Sequence, residues 1–393
     1  MKVEELLKKN AKKIQLRKNT IFSFDLKKQE QYINSFSEPK DDIERGYFQY
    51  KCQMKLLGMP FTIILNIGSM LLLCVLWGLR SNSKGCLEKR EKQKAVFVSQ
   101  GLSENVIPDS LKKKYKSIYV INGTNTWRWS DEDKHFMRSI MRRYPISFHF
   151  LLKVFLKVNM YSAWKFMYDP EAIIVCSEYS FTSSVLSAYC QRMKIEHINV
   201  MHGEKLYYMR DTFFRFDKCY IWDEFYKSLF EMLRADKEQF IIELPNSMKF
   251  ETKVIEKKYD YVFYLTQERG EEINTIAKSL EILKKQGNRV GVRPHPRYTN
   301  MEEAKKAFSN IDIEDTREVE IEKSILRTEN VISLYSTVLN QAIHNNISIV
   351  VDDVTNREKY LRLKEMGFIC LSKKHKLLSD LMWGDKNEAR KKC

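Results

Sequence analysis

The apolar positions divide the chain into three stretches of different texture. Residues 1–55 are polar, lysine-rich and patchily helical in spacing. Residues 56–79 then run without a single charge. Beyond Lys94, short apolar runs alternate with longer segments whose apolar residues recur at helical spacing. The runs 95–99, 117–122, 172–176, 196–201 and 218–222 predict strands. Helices are expected between them at 136–157, broken by Pro145, and at 184–193. Pro245 and the charged stretch 249–258 read as a linker. A second series follows, with strands at 261–265, 289–293, 330–334 and 347–351 and a weak one at 311–314. Its helices are expected at 271–285, 320–327, from the Ser336-Thr337 pair to His344, and at 374–382.

Strands that alternate with helices, with polar residues clustered where each strand ends, predict parallel α/β sheets. The fold class expected is therefore α/β, with two Rossmann-like domains facing across a cleft and a helical, partly apolar segment before them. The boundaries that follow are a basic N-terminal region at 1–94, a first domain at 95–245 and a second at 258–382. Ligands of such sheets bind at the carboxyl ends of the strands.

The uncharged stretch 56–79 is long enough to cross a bilayer as a helix. Lysines and arginines flank it on both sides (Lys51 and Lys55 before, Arg80, Lys84, Lys89 and Arg90 after), so charge gives it no orientation. Pro60, Asn66, Gly68 and Ser69 thin its apolar density. Three readings stay open: a spanning anchor, a helix embedded in one leaflet beside anionic headgroups, and a buried helix of a soluble domain.

Composition narrows the function. The chain has 393 residues, with 67 Lys and Arg against 51 Asp and Glu, a net charge of +16. That balance calls for an anionic partner: nucleic acid, an acidic membrane surface or a phosphate-bearing small molecule. No zinc-finger spacing, RNP-like aromatic motif or basic zipper is present, which sets nucleic acid aside. The eight cysteines are scattered without a C-x-x-C pair and read as reduced packing residues. Without a P-loop or G-x-G-x-x-G, neither ATP nor NAD is expected, and no metal site is expected either.

Four segments at predicted strand ends carry candidate chemistry. Arg293-Pro294-His295-Pro296-Arg297 offers two guanidiniums and an imidazole to a phosphate or carboxylate on a loop stiffened by proline. The imidazole is also a candidate proton donor to a leaving phosphate oxygen. Ser336-Thr337 opens a helix, where backbone N–H groups and the dipole favour an anion, although a simple N-cap reads the same way. His202-Gly203 and Glu178, each following a strand of the first domain, are rival bases for an acceptor hydroxyl. The aromatic run Tyr207–Phe216 is either an acceptor platform or core.

This set of motifs resembles the GT-B glycosyltransferases that use nucleotide-monophosphate sugars. They comprise the bacterial sialyltransferases and polysialyltransferases, the capsule Kdo transferases and the related CDP-glycerol glycerophosphotransferases. By that resemblance His295, with Pro296 beside it, contacts the donor phosphate, as do Ser336 and Thr337; Arg293 is expected to join them from its place in the same loop. Glu320 or Glu322 holds the nucleotide ribose. The acidic-acidic-glycine motif of sialyltransferases is missing from the first half, whereas the His-Gly pair of the glycerophosphotransferases is matched at His202. The resemblance implies a metal-independent transferase that needs no cofactor beyond a nucleotide-sugar donor, CMP-linked by preference, and acts on a glycan or lipid-linked glycan. It implies work at the cytoplasmic face of the cell membrane, on an anionic surface and without nucleic acid. The alternatives are a CDP-glycerol-type glycerophosphotransferase and a non-catalytic membrane-associated protein that binds glycan or nucleotide.

Overall fold

A computed structural model describes residues 25–81, 89–122, 128–250 and 255–384. Lys84, Cys86, Gly123, part of the expected linker at 251–254 and Cys393 lie outside the described residues. The chain forms two compact units, one of residues 25–202 and 207–246, the other of residues 203–206 and 247–384.

The first unit opens with helices α1 (Leu26–Asn34), α2 (Asp42–Leu57) and α3 (Met59–Ser81). Asp41 caps α2 by accepting from the Glu44 N–H. Gly46 lets α2 approach α7 (Ser183–Arg192): a Cβ there would meet Val185 Cγ2 at 2.6 Å and the Phe181 carbonyl oxygen at 2.7 Å. Gly58, at φ 85° and ψ 157°, ends α2 in a conformation that favours glycine and turns the chain into α3.

The first sheet consists of β1 (Ala95–Val98), β2 (Ile118–Ile121), β3 (Ala172–Val175), β4 (Glu196–Val200), β5 (Lys218–Ile221) and β6 (Phe240–Ile242). All are parallel, in the order β2-β1-β3-β4-β5-β6. Strands β1 and β3 are buried at every position, as expected of strands covered on both faces. The expected helix 136–157 is two helices, α5 (Asp131–Arg143) and α6 (Phe148–Tyr168), with Pro145 in the gap. Ser130 and Asp133 form a capping box at the start of α5. The buried Asp133 carboxylate also accepts from the Tyr189 hydroxyl at 2.6 Å and the Ser162 hydroxyl at 2.7 Å. The acidic run at 131–133 is thus a helix start tied into the core. In the aromatic run, Tyr208, Phe213, Phe214 and Phe216 are buried, which makes it core.

The second sheet consists of β7 (Tyr259–Tyr264), β8 (Val290–Arg293), β9 (Asp312–Ile313), β10 (Thr328–Ser333), β11 (Ser348–Val351) and β12 (Lys376–Leu377), again all parallel. Its order is β12-β11-β10-β7-β8-β9, which in local numbering is 6-5-4-1-2-3, the dinucleotide-fold order. Helices α9 (Glu271–Lys285), α11 (Ile321–Leu326) and α12 (Thr337–His344) stand at their expected places. The expected helix 374–382 is shortened, because Lys376 and Leu377 pair with β11 before the last helix, Leu378–Trp383, begins. The periodicity also passed over β6 and the helices α4 (Asp109–Tyr115), α8 (Glu224–Met232) and α10 (Met301–Ala307). The fold is α/β, with two Rossmann-like units and an apolar helix on the N-terminal side.

Candidate functional site

Strand order decides what the second unit brings together. The order reverses between β7 and β10, and ligands of such sheets sit outside the strand ends at that point. His295 follows β8, and Ser336 follows β10. These strands are not neighbours; β7 lies between them. Neighbouring strands lie about 4.8 Å apart, so the ends of β8 and β10 stand roughly 10 Å apart on either side of β7.

The geometry around His295 fixes its tautomer. The Arg297 backbone N–H donates to Nδ1 at 3.1 Å, so the proton of the neutral ring resides on Nε2. The loop is closed by the His295 N–H, which donates to the Thr299 hydroxyl oxygen at 2.7 Å, and Tyr298 stacks on the imidazole with centroids 4.5 Å apart. Burial lowers the His295 pKa below the usual histidine value and Arg297 lowers it further, while Glu268 acts in the opposite direction. At neutral pH the unliganded ring is a neutral Nε2–H donor. An Nε2–H donor can stabilise a phosphate charge, and a bound phosphate in turn favours the protonated ring, so the geometry suits both charge stabilisation and proton donation to the leaving group.

Ser336 is the N-cap of α12, its hydroxyl oxygen accepting from the Val338 N–H at 3.3 Å. Both Ser336 and Thr337 are half-buried. The cap reading is therefore realised, and the helix start still aligns its dipole with the strand ends.

Arg293 is placed differently from its expected role. Its guanidinium is buried, pairs with the buried Glu314 carboxylate and donates to the Val319 carbonyl at 2.8 Å. Arg327 reaches the same carboxylate, donating from Nε at 3.1 Å. This Arg-Glu-Arg cluster fastens the end of β8 to the loop before α11, and Arg293 serves as its tie rather than as a donor ligand. Pro296 and Glu320 are exposed, and Glu320 caps α11 without a side-chain hydrogen bond. Glu322 is half-buried in the first turn of that helix. Pattern reasoning missed Glu268, a buried carboxylate after β7 that accepts from the Thr266 N–H at 2.6 Å and its hydroxyl at 2.7 Å. A polar T-x-E after a strand was the available signal.

In the first unit the order reverses between β1 and β3. Glu178 follows β3, and His202 follows the adjacent β4. Burial separates the two rivals: Glu178 is fully buried, whereas His202 is half-buried. Asn199 donates from Nδ2 to the Glu178 carboxylate at 3.2 Å and accepts from the Ser177 N–H at 2.8 Å, so it joins the two strand ends. Gln49 of α2 donates to the Glu178 carbonyl at 2.9 Å. Gly203 has no left-handed φ and no close neighbour, so the turn at His202 does not require glycine. The next residue, Glu204, belongs to the second unit. It accepts from the Asn340 side chain of α12, and its carbonyl accepts from the Tyr335 hydroxyl at 3.4 Å.

No group of three or more His, Cys, Asp or Glu residues placed to hold a metal occurs among the described residues. No family model and no curated protein matches the chain. Solved structures do. The wall teichoic acid polymerase TagF (H444N, with CDPG) is similar at 10% identity and TM-score 0.43, over 83% of this chain and 90% of that one. The S. aureus MnaA-UDP co-structure is similar at 11% and 0.43, over 70% and 87%. The lipopolysaccharide outer core galactosyltransferase WaaB follows at 7% and 0.38, over 75% and 94%. At such scores the likeness carries neither a residue nor a substrate over to this chain.

Proposed function

We propose that the protein is a metal-independent glycosyltransferase of GT-B type. It moves a sugar, sialic acid or Kdo-like, from a CMP-linked or other nucleotide donor to a cell-surface glycan precursor. The observation that carries this reading is the His295 loop and the Ser336-Thr337 helix start, which flank β7 at the strand-order reversal of a dinucleotide-type sheet. There the Nε2–H of His295, the hydroxyls of Ser336 and Thr337 and the α12 N-terminus take the donor phosphate. They neutralise charge as the glycosidic bond to phosphate breaks. The acceptor hydroxyl loses its proton to His202, which is half-buried where its rival is fully buried, while Glu178 supports the strand end through Asn199. Glu320 and Glu322 are the candidates for the ribose. Because activated sugar nucleotides are cytosolic, the reaction takes place at the cytoplasmic face.

The His202-Gly203 pair, in place of an acidic-acidic-glycine motif, favours a second reading in which a CDP-glycerol-type donor delivers phosphoglycerol. Thermal stabilisation by CMP, CDP, UDP and GDP tests both. CMP is the leaving nucleotide of both donors, so turnover separates them: release of CMP from a CMP-sugar supports the sugar donor, and release of CMP from CDP-glycerol supports glycerophosphate transfer. Failure of all four overturns the donor site. Stabilisation without turnover of any activated donor would leave a non-catalytic binder.

A further inference from the structure

Helix α3 is apolar on the wrong side for a globular protein. Thr62, Asn66, Ser69, Leu73 and Trp77 recur every three or four residues and face the first unit. Asn66 Oδ1 accepts from the His149 N–H at 3.1 Å, Ser69 Oγ lies 3.1 Å from His149 Nδ1, and Trp77 packs on Trp129 and Phe155. The opposite stripe, Ile64, Ile67, Leu71, Val75 and Leu79, is 56–66% exposed at every position. The polar residues that thin the apolar run are therefore its inward face, and its most apolar side chains are turned out.

We propose that α3 lies in the plane of an anionic bilayer, with its outer stripe sunk into one leaflet, and does not span it. Two observations argue for this over the other readings. First, α3 runs along α6 from Asn66 to Trp77, and 13 of the 21 residues of α6 are buried in the first unit. A spanning α3 would carry α6 and the sheet behind it into hydrocarbon, where its polar loops find no partners. Second, the flank is cationic. Lys153 and Lys157 stand four and eight residues beyond His149 on the same edge of α6, one exposed and one half-buried. The described ion pair of α6 is at its far end, Lys165 with Asp169. Burial and Lys153 both lower the Lys157 pKa, and an anionic headgroup beside it would offset both. Lys51 and Lys55 are exposed just before the turn at Gly58. An apolar stripe edged by lysines matches acyl chains beneath acidic headgroups. This inference does not depend on the transferase reading.

The test uses the full-length protein and vesicles of phosphatidylcholine, with or without 30% phosphatidylglycerol (roughly the proportion that gives a strongly negative surface). Flotation should be strong with phosphatidylglycerol and several-fold weaker without it or at high salt. Ile64→Glu with Leu71→Glu should abolish flotation while leaving the melting temperature and any nucleotide response unchanged. Lys153→Ala with Lys157→Ala should remove the lipid selectivity. A fluorophore at Ile64→Cys, Leu71→Cys or Leu79→Cys, in a Cys74→Ser, Cys86→Ser, Cys393→Ser background, should be quenched to equal depth by spin-labelled lipids. A spanning helix would separate the depths of positions 64 and 79 by about 22 Å. Stepped depths, flotation indifferent to the double glutamate variant, or a dimer dispersed by that variant without vesicle binding would each overturn the proposal.

Discussion

Arg293 and His295 are two residues apart in the sequence, yet the structure assigns them opposite kinds of work, and substitution should separate them. Arg293→Met removes a guanidinium whose side chain is 7% exposed and whose partner, Glu314, is 2% exposed. Breaking a buried pair from one side costs about 3–5 kcal/mol. Arg327 stays on Glu314, so about 2–4 kcal/mol is the expected loss here. For a unit of this size that is a fall in Tm of roughly 6–12 °C. His295→Ala removes a half-buried ring from a surface loop and should move Tm by less than about 2 °C, within the usual range for surface changes. It should instead delete a hydrogen bond to an anionic phosphate, worth about 1.5–3 kcal/mol, or roughly 10- to 150-fold in nucleotide Kd. Urea unfolding measures the first effect and isothermal titration with the nucleotide the second. If Arg293→Met unfolds at the wild-type urea concentration, or if His295→Ala binds nucleotide normally, the division of roles is wrong.

Other expectations follow from the same geometry. Ser336→Asp keeps an N-cap acceptor but sets a carboxylate where the phosphate is placed; stability should hold within about 1 kcal/mol, and nucleotide titration should show binding lost. His202→Ala should lower turnover by 100-fold or more if it is the base, and Glu178→Gln by less; the reverse order in a donor-turnover assay would exchange their roles. His197 is fully buried between the Tyr161 and Ser187 hydroxyls, and burial lowers its pKa to about 3. Its contribution is complete above pH 6.5 and is lost as pH falls toward 3, so roughly 3 kcal/mol should be missing at pH 4.5, a loss that urea melts will register. Gly46→Ala forces a Cβ against Val185 and the Phe181 backbone and should cost about 1–3 kcal/mol in the same melts.

What the sequence determined by itself is local. Strand positions in both halves were legible because buried parallel strands read as short apolar runs, and α5 and α6 parted near Pro145 because proline interrupts a helix wherever it falls. His295, Ser336, Thr337, Glu178 and His202 were legible as polar residues following strands. What only the tertiary structure decided is which groups are already occupied and which strands adjoin. Arg293 looks like a phosphate ligand until Glu314, 21 residues away, is seen on it. His295 and Ser336 come from strands separated by β7, an order no local pattern encodes. The same holds for α3, whose composition leaves its setting open and whose packing against α6 only the fold reveals. Periodicity reports which faces are apolar; the partner each face receives is set by chain segments far away in sequence, and packing alone reveals it.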